Sequence, residues 1–320
     1  MTLESHPFLF GRSNDVNPSG CCNKRLVVVI MWSYQCVGIN LGPNANSHGA
    51  ARMTDYSRYE CLKIEVANKL ATVTFNRPDA YHALNREFIA ELRSIWFDLS
   101  EDAAVNAVLV RSTGRFFSVG GDVKAMSNRP GGDFLADGEI ADPAKGRRLV
   151  LNLLELDKPI VCAIQGDAIG LAATVALLCD ITVASETARI GDPHVRIGLV
   201  AGDGGAAIWP LLVGISRAKE FLMRGSLING KEAERIGLVN YAVPAEEVLP
   251  KAREIAQELA DGATWAIRWT KLSVNRILKQ NMHMILDTSM SLEHETMHMQ
   301  DHREATKAFA EKRKPKFTGK

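Results

Sequence analysis

Net charge is nearly absent from this chain. Its 320 residues carry 38 Lys and Arg against 37 Asp and Glu, a formal +1, and no block of either sign interrupts the body of the sequence. Attraction to nucleic acid or to an anionic membrane needs a basic patch or stripe, so neither is expected as a partner. Long apolar runs are lacking too: Leu26–Trp32 stands out near the N-terminus but is too short to span a bilayer. Lys24 and Arg25 precede that run, yet they follow a long polar stretch and no small-residue cleavage site comes after, so a secretory signal is not indicated. None of the six cysteines (positions 21, 22, 36, 61, 162 and 179) forms a CxxC pair, and Cys162 and Cys179 sit inside apolar runs. That usage fits buried free thiols in a reducing, cytoplasmic setting better than a disulfide framework or a zinc site. Missing as well are a GxGxxG turn opening a helix and a GK[ST] triplet, which removes dinucleotide and P-loop chemistry.

What is present is an ordinary globular composition, 46% hydrophobic, on a chain long enough for one large or two smaller domains. Residues 1–58 stand apart, rich in Asn, Ser, Gly and His. A regular domain begins abruptly after Met53, so the extension reads as an upstream over-translation, poorly ordered and outside the fold. From Tyr59 the pattern is α/β. Cys61–Val66 and Ala71–Phe75 alternate and are β-branched, with Asn68–Lys69 suited to a hairpin turn between them. Helical spacing follows at Leu84–Leu99, a buried strand at Val105–Arg111, a loop expected to be mobile at Asn128–Gly138, and a helix from Pro143 to Leu156. A unit of strand, glycine turn and helix occurs at Val108–Met126 and again at Ile160–Leu178. Beyond Gly205 helices predominate: Ile215–Arg224, Gly230–Arg235, Ala245–Ala260, Thr264–Lys279 and Met282–Met299, with a short strand at Leu238–Val243 and a basic tail at Arg303–Lys314. The expected division is an extension at 1–58, an α/β core at 59–250 and a helical region at 251–320.

The chemistry concentrates between Lys158 and Gly205. A buried strand, Ile160–Ile164, ends on Gly166, and a helix of small and aliphatic residues follows Gly170. Backbone N–H groups left unpaired where such a helix begins can receive a developing oxyanion. In GDPHVRIGLVAGDGG, His194 and Asp203 are the acid–base pair among glycines and aliphatics, in the kind of glycine-rich cleft where perturbed pKa values gather. Two other motifs are weaker. His294, Glu295 and His298 match HExxH, with His302 one step further along the same helical face, but no glycine turn brings in a third ligand, so a solvated or interfacial helix face is expected and no metal site is assigned. Ser118 precedes a glycine pair in GRFFSVGG, which is not a nucleophile elbow, and reads as a packing residue.

NRPDAYHALN, RFFSVGGDVKAM, KPIVCAIQGDAIGLAATVALLCD, RIGDPHVRIGL and DHREATKAFAEKRKPKF, in that order, resemble the successive signatures of the crotonase superfamily, the enoyl-CoA hydratase/isomerase family, over about residues 58–318. The resemblance implies an α/β fold of the crotonase type, a spiral of repeated ββα units with a C-terminal helical trimerisation region. It further implies a homotrimer or homohexamer, and an acyl-CoA substrate whose thioester carbonyl sits between two backbone N–H groups. On this pattern the donors are Gly121, in Val119-Gly120-Gly121-Asp122, and Leu171, in Ala168-Ile169-Gly170-Leu171-Ala172. Lys124 matches a position near the CoA nucleotide. Phe309 and Lys312 match a tail in which an aromatic and a lysine from a neighbouring subunit cover adenine and phosphate. No cofactor is implied beyond coenzyme A as part of the substrate.

Two departures bear on the reaction. Where hydratases of the family carry their glutamates, this chain has Thr174 and His194. Threonine is no base at neutral pH, so addition of water between two glutamates is not available in its usual form. The remaining pair, His194 with Asp203 to orient it, is similar to that of oxocamphor-type β-diketone hydrolases. Three readings stay open: a hydratase/isomerase-like enzyme on CoA thioesters, a hydrolase cleaving a carbon–carbon bond in a β-dicarbonyl, and a CoA-binding protein without chemistry.

Overall fold

The computed structural model describes residues 54–122 and 142–320. Residues 1–53, Lys124, the loop Asn128–Gly138 and the helix expected after Gly121 therefore lie outside the described residues.

The fold starts with a hairpin. β1 (Leu62–Ala67) and β2 (Leu70–Phe75) pair antiparallel with Ala67 opposite Leu70. Asn68 and Lys69 between them take φ of 51° and 64°, the left-handed pair that a two-residue type I′ turn requires. Parallel strands continue the sheet: β3 (Ala107–Ser112), β4 (Ile160–Ile164), β6 (Ile181–Ser185) and β9 (Tyr241–Val243), in the order β1-β2-β3-β4-β6-β9. Both faces of this sheet are covered, and the period of two decides what goes where. Ala107, Leu109, Val161, Ala163 and Val183 pack beneath α7 (Val248–Asp261), which presents Val248, Ala252, Ala256 and Ala260 at intervals of four. Those small side chains let its backbone lie close on the strands. Val108, Val110, Ile160, Cys162 and Ile164 face the other way. They meet α1 (Arg86–Glu101), with its buried stripe Phe88, Leu92, Ile95, Trp96 and Leu99, and α2 (Pro143–Glu155).

The ends of α1 are specified locally and from afar. Asn85 caps the start by accepting the Phe88 N–H. At the other end the buried Lys158 Nζ donates to the carbonyls of Leu99 and Asp102, placing a cation where the helix dipole is negative. A small second sheet, β5 (Ala168–Ile169), β7 (Arg189–Gly191) and β8 (Ile228–Asn229), lies in the order β5-β7-β8, and β5 also bridges to Ser118. Around it stand α3 (Leu171–Leu177), α4 (Gly205–Val213), α5 (Ile215–Arg224) and α6 (Gly230–Arg235).

Three expectations need correcting. Thr264–Lys279 and Met282–Met299 form one helix, α8 (Thr264–His298). No breaker separates them, and Asn281 turns its side chain outward to the Ala207 carbonyl at 2.6 Å. The chain breaks instead at Met299 (φ −70°, ψ 152°), and α9 (Gln300–Ala310) follows. His302 thus begins a new helix and does not extend the face of His294 and His298. Finally, β9 starts at Tyr241 and not at Leu238, because the Leu238 and Val239 N–H groups are used closing α6 onto the Ala233 carbonyl. Among the described residues, no helix is long and apolar enough to cross a membrane.

Candidate active site

Two glycine turns are pressed together at the edge of the small sheet. Ser118 ties the first in place: its hydroxyl donates to the His82 carbonyl at 2.7 Å and accepts the Gly120 N–H at 3.2 Å, while its backbone bonds to Asp167 and Ile169. Its hydroxyl proton is therefore committed to the fold. Gly120 takes φ 83°, and a Cβ there would lie 2.6 Å from the Ile169 carbonyl oxygen. The second turn centres on Gly170 (φ 57°, ψ −129°), whose N–H donates to Gly191. Leu84 bonds to the Gly120 carbonyl and the Asp122 N–H, which leaves the Gly121 N–H directed away from that strand pairing. Neither the Gly121 nor the Leu171 N–H has an acceptor among the described residues.

His194 closes over the second turn. It opens a short 3₁₀ turn (His194–Ile197) after β7, and a Cβ on Gly170 would lie 3.3 Å from its Cε1. The imidazole thus rests on the residue preceding Leu171. Its Nδ1 is bonded to Asp192, which is wholly buried, while Nε2 lies 3.4 Å from Asp203 Oδ2 and 3.8 Å from Glu293 Oε1. Thr174, fully buried on α3, donates its hydroxyl to Asp203 Oδ1 at 3.4 Å. His194, Asp203 and Glu293 keep a small exposure, 12%, 12% and 9% of their side chains, so the group is lined up at the edge of solvent.

Three carboxylates around one imidazole govern the electrostatics. Burial alone would lower the pKa of His194, but Asp192, Asp203 and Glu293 outweigh it and hold the value well above the usual range. Burial raises Asp203, the His194 charge opposes this, and Asp192 adds to it, leaving the carboxyl at about 6. Glu293 is raised in the same way, by burial and then by Asp203. The imidazolium and at least one protonated carboxyl therefore coexist near neutrality, and the groups exchange protons as one unit. Asp192, His194 and Asp203 bring ligand-type atoms within 4.8 Å of one another, a donor set a divalent cation could use. Both imidazole nitrogens face carboxylates, Nδ1 that of Asp192 and Nε2 that of Asp203.

Residues 65–320 match the enoyl-CoA hydratase/isomerase family. The chain is 34% identical over 268 residues to a crotonyl-CoA hydratase of Syntrophomonas wolfei, covering 82% of this chain and 99% of that one. It is 33% identical over 256 residues to a short-chain-enoyl-CoA hydratase of Clostridium acetobutylicum, covering 78% and 95%. The crystal structure of an enoyl-CoA hydratase/isomerase from Mycobacterium paratuberculosis superposes with a TM-score of 0.72 at 29% identity, covering 77% of this chain and 97% of that one. The chain belongs to the enoyl-CoA hydratase/isomerase family.

Within this family member, the structure brings together Gly121's turn, Leu171, Thr174, His194 and Asp203. Phe309 stands apart on α9, 53% exposed, and Lys312 follows it in a left-handed turn (φ 54°). Two residues of the site escaped sequence reasoning. Asp192 stood in plain view two positions before His194. Glu293 lay in the stretch whose HExxH pattern drew notice, one residue before it. The signal for Glu293 was its phase: in the second half of α8 the buried face runs through Met282, Leu286, Ser289 and Met290, and Glu293 is a charged residue at its next step. The histidines of the pattern serve otherwise. His294 and His298 face each other with centroids 5.0 Å apart, and the buried His302 donates from Nδ1 to the Ile197 carbonyl at 2.7 Å.

Proposed function

We propose that the enzyme acts on an acyl-CoA thioester, with the carbonyl oxygen received by the Gly121 and Leu171 N–H groups and the protons moved by His194, Asp203 and Glu293. The observation that carries this reading is the His194 ring lying on Gly170, beside the Leu171 amide. A proton exchanged at the imidazole is thereby next to the oxygen on which charge develops. In hydration of an enoyl thioester, the Asp203 carboxylate, beside the charged His194 ring, takes a proton from water as the oxygen adds to Cβ. The enolate charge rests on the two N–H groups, and the raised Glu293 carboxyl or the imidazolium returns a proton to Cα. Isomerisation uses the same acceptor and donor on two carbons. Asp192, wholly buried on Nδ1, orients the ring, and Thr174 steadies Asp203.

By the family resemblance, Lys124 and the Phe309–Lys312 tail of a neighbouring subunit would hold the CoA nucleotide in a homotrimer or homohexamer, with no separate cofactor. The exposure of Phe309 on α9 supports that placement. Cys61, Cys162 and Cys179 are free thiols, in keeping with the cytoplasm.

One observation favours a second reading. Histidine and carboxylates replace the paired glutamates, a set that could activate water against a β-dicarbonyl, break the carbon–carbon bond and protonate the departing enolate carbon. Crotonyl-CoA and a cyclic β-diketone assayed side by side separate the two. We expect crotonyl-CoA to lose its conjugated enoyl absorbance with the parent protein, and His194→Ala to lower kcat by about 10²–10⁴. Cleavage of the diketone alone would favour the second reading. Unchanged kcat in His194→Ala would remove the acid–base role altogether.

A further inference from the structure

The segment from His194 to Gly205 carries two members of the site but little regular structure of its own. After the short 3₁₀ turn it is held by turns such as Gly202 N–H to the Val200 carbonyl at 2.8 Å. Its fixed points come from outside. His302 donates to the Ile197 carbonyl at 2.7 Å, Thr296 Oγ1 accepts the Val200 N–H at 3.2 Å, and Ser289 Oγ donates to the Gly202 carbonyl at 2.9 Å. All three partners lie on α8 and α9.

The third contact is closest to the chemistry. Gly202 immediately precedes Asp203 and lies directly on α8. A Cβ there would be 2.4 Å from the Ser289 carbonyl oxygen, 2.6 Å from Glu293 Cβ and 2.7 Å from Glu293 Oε2. Ser289 and Glu293 are four residues apart and share one face of the helix. A single turn of α8 therefore supplies a carboxylate and grips the loop that supplies the other. Ser289 is 5% exposed, between the buried Leu286 and Met290 on the face of α8 that meets the core. Its hydroxyl also lies 3.1 Å from the Leu286 carbonyl, the acceptor a helical serine uses on its own helix. The Gly202 contact is the one that reaches across to the site.

We infer that Ser289 is a positioning residue: its hydrogen bond to the Gly202 carbonyl docks the Asp203 turn on α8 and sets the separation of Asp203 and Glu293 around His194. The inference rests on the acid–base reading given above. The experiment compares Ser289→Ala, Ser289→Thr and Ser289→Cys in the full chain, using whichever of the two assayed substrates the parent turns over. Ser289→Ala should lower kcat about tenfold, the scale of one lost buried hydrogen bond, with KM within about twofold. Ser289→Thr should restore most of kcat. Ser289→Cys, a weak donor of similar size, should lie between, and it gives the answer if the alanine variant does not fold. Parental kcat in the alanine and cysteine variants overturns the inference, as does a KM that rises as much as kcat falls, or a threonine variant no better than alanine. Glu293→Gln and His194→Ala run alongside. If they also keep parental kcat, the acid–base reading fails; if they lose it while Ser289→Ala does not, only the role of Ser289 fails.

Discussion

Replacing Glu293 by Gln should make the protein less sensitive to alkali, and the structure sets the sign and ceiling of the effect. The Glu293 carboxyl is raised to about 8 by burial and then by Asp203, with His194 opposing and Asp192 adding. A carboxyl whose folded pKa exceeds its unfolded one binds more protons in the native state between the two values, so stability falls as pH rises through that window. His194 acts with the same sign. Its burial is outweighed by Asp192, Asp203 and Glu293, so the stability it contributes is complete below its unfolded value and is lost as pH climbs through the higher folded one. Asp203, at about 6, has largely titrated by neutrality. Between about pH 7 and 8, two groups each hold up to one extra proton, and each is worth at most about 1.4 kcal/mol per pH unit. His82 and His302, both lowered by burial, trim the slope at the acid end, and Lys158, lowered to about 8 by burial, trims it at the alkaline end. Urea unfolding of parent and variant at intervals across this range measures the slopes. The parent should lose stability with rising pH, and the variant should lose less, by up to about 1.4 kcal/mol per pH unit. Equal slopes, or a parent whose stability rises, would refute the raised Glu293.

The other expectations follow from single contacts. Gly170→Ala should lower both kcat and urea resistance, since it forces a side chain into φ 57° and toward His194 Cε1 at 3.3 Å. Lys158→Met should destabilise by about 1–3 kcal/mol in urea with kcat unchanged, because the Leu99 and Asp102 carbonyls lose their buried donor. Thr174→Ala should change kcat little, its hydroxyl making one long 3.4 Å contact to Asp203. Phe309→Ala and Lys312→Ala should raise KM for an acyl-CoA more than they lower kcat, as groups remote from the reacting atoms do. Unaltered KM in both would argue for a substrate without CoA.

Much of the fold was legible because its signals are local. The Asn68–Lys69 turn, the stripe of α1 and the bounds of α5 and α6 are each written in a few adjacent residues. What stayed hidden depended on hydrogen-bond partners that the adjacent residues do not name. The continuity of α8 turns on Asn281 finding a carbonyl in α4, and the late start of β9 turns on two N–H groups being used by Ala233. The site divided along the same line. His194 and Asp203 stood out as titratable residues among glycines, whereas Glu293 reaches them from about ninety residues further along, beside a motif that suggested different chemistry.

α8 has a consequence for how this sequence can change. Its 35 residues make a rod of about 52 Å at 1.5 Å per residue. Polar contacts fasten it to the core along its length: Lys271 to Asp180 at 2.8 Å, Asn275 to the Leu154 carbonyl at 3.1 Å, Asn281 to the Ala207 carbonyl and Ser289 to the Gly202 carbonyl. Glu293 is delivered to His194 by the phase of that rod. One residue inserted or deleted between Asn281 and Glu293 would swing the carboxylate about 100° around the axis, out of the cluster and toward solvent, even at an exposed position such as Leu292 or Met284. Length in this helix is thus under a constraint as strict as residue identity, and a relative keeping every polar residue of the site but differing by one residue here would lack the site.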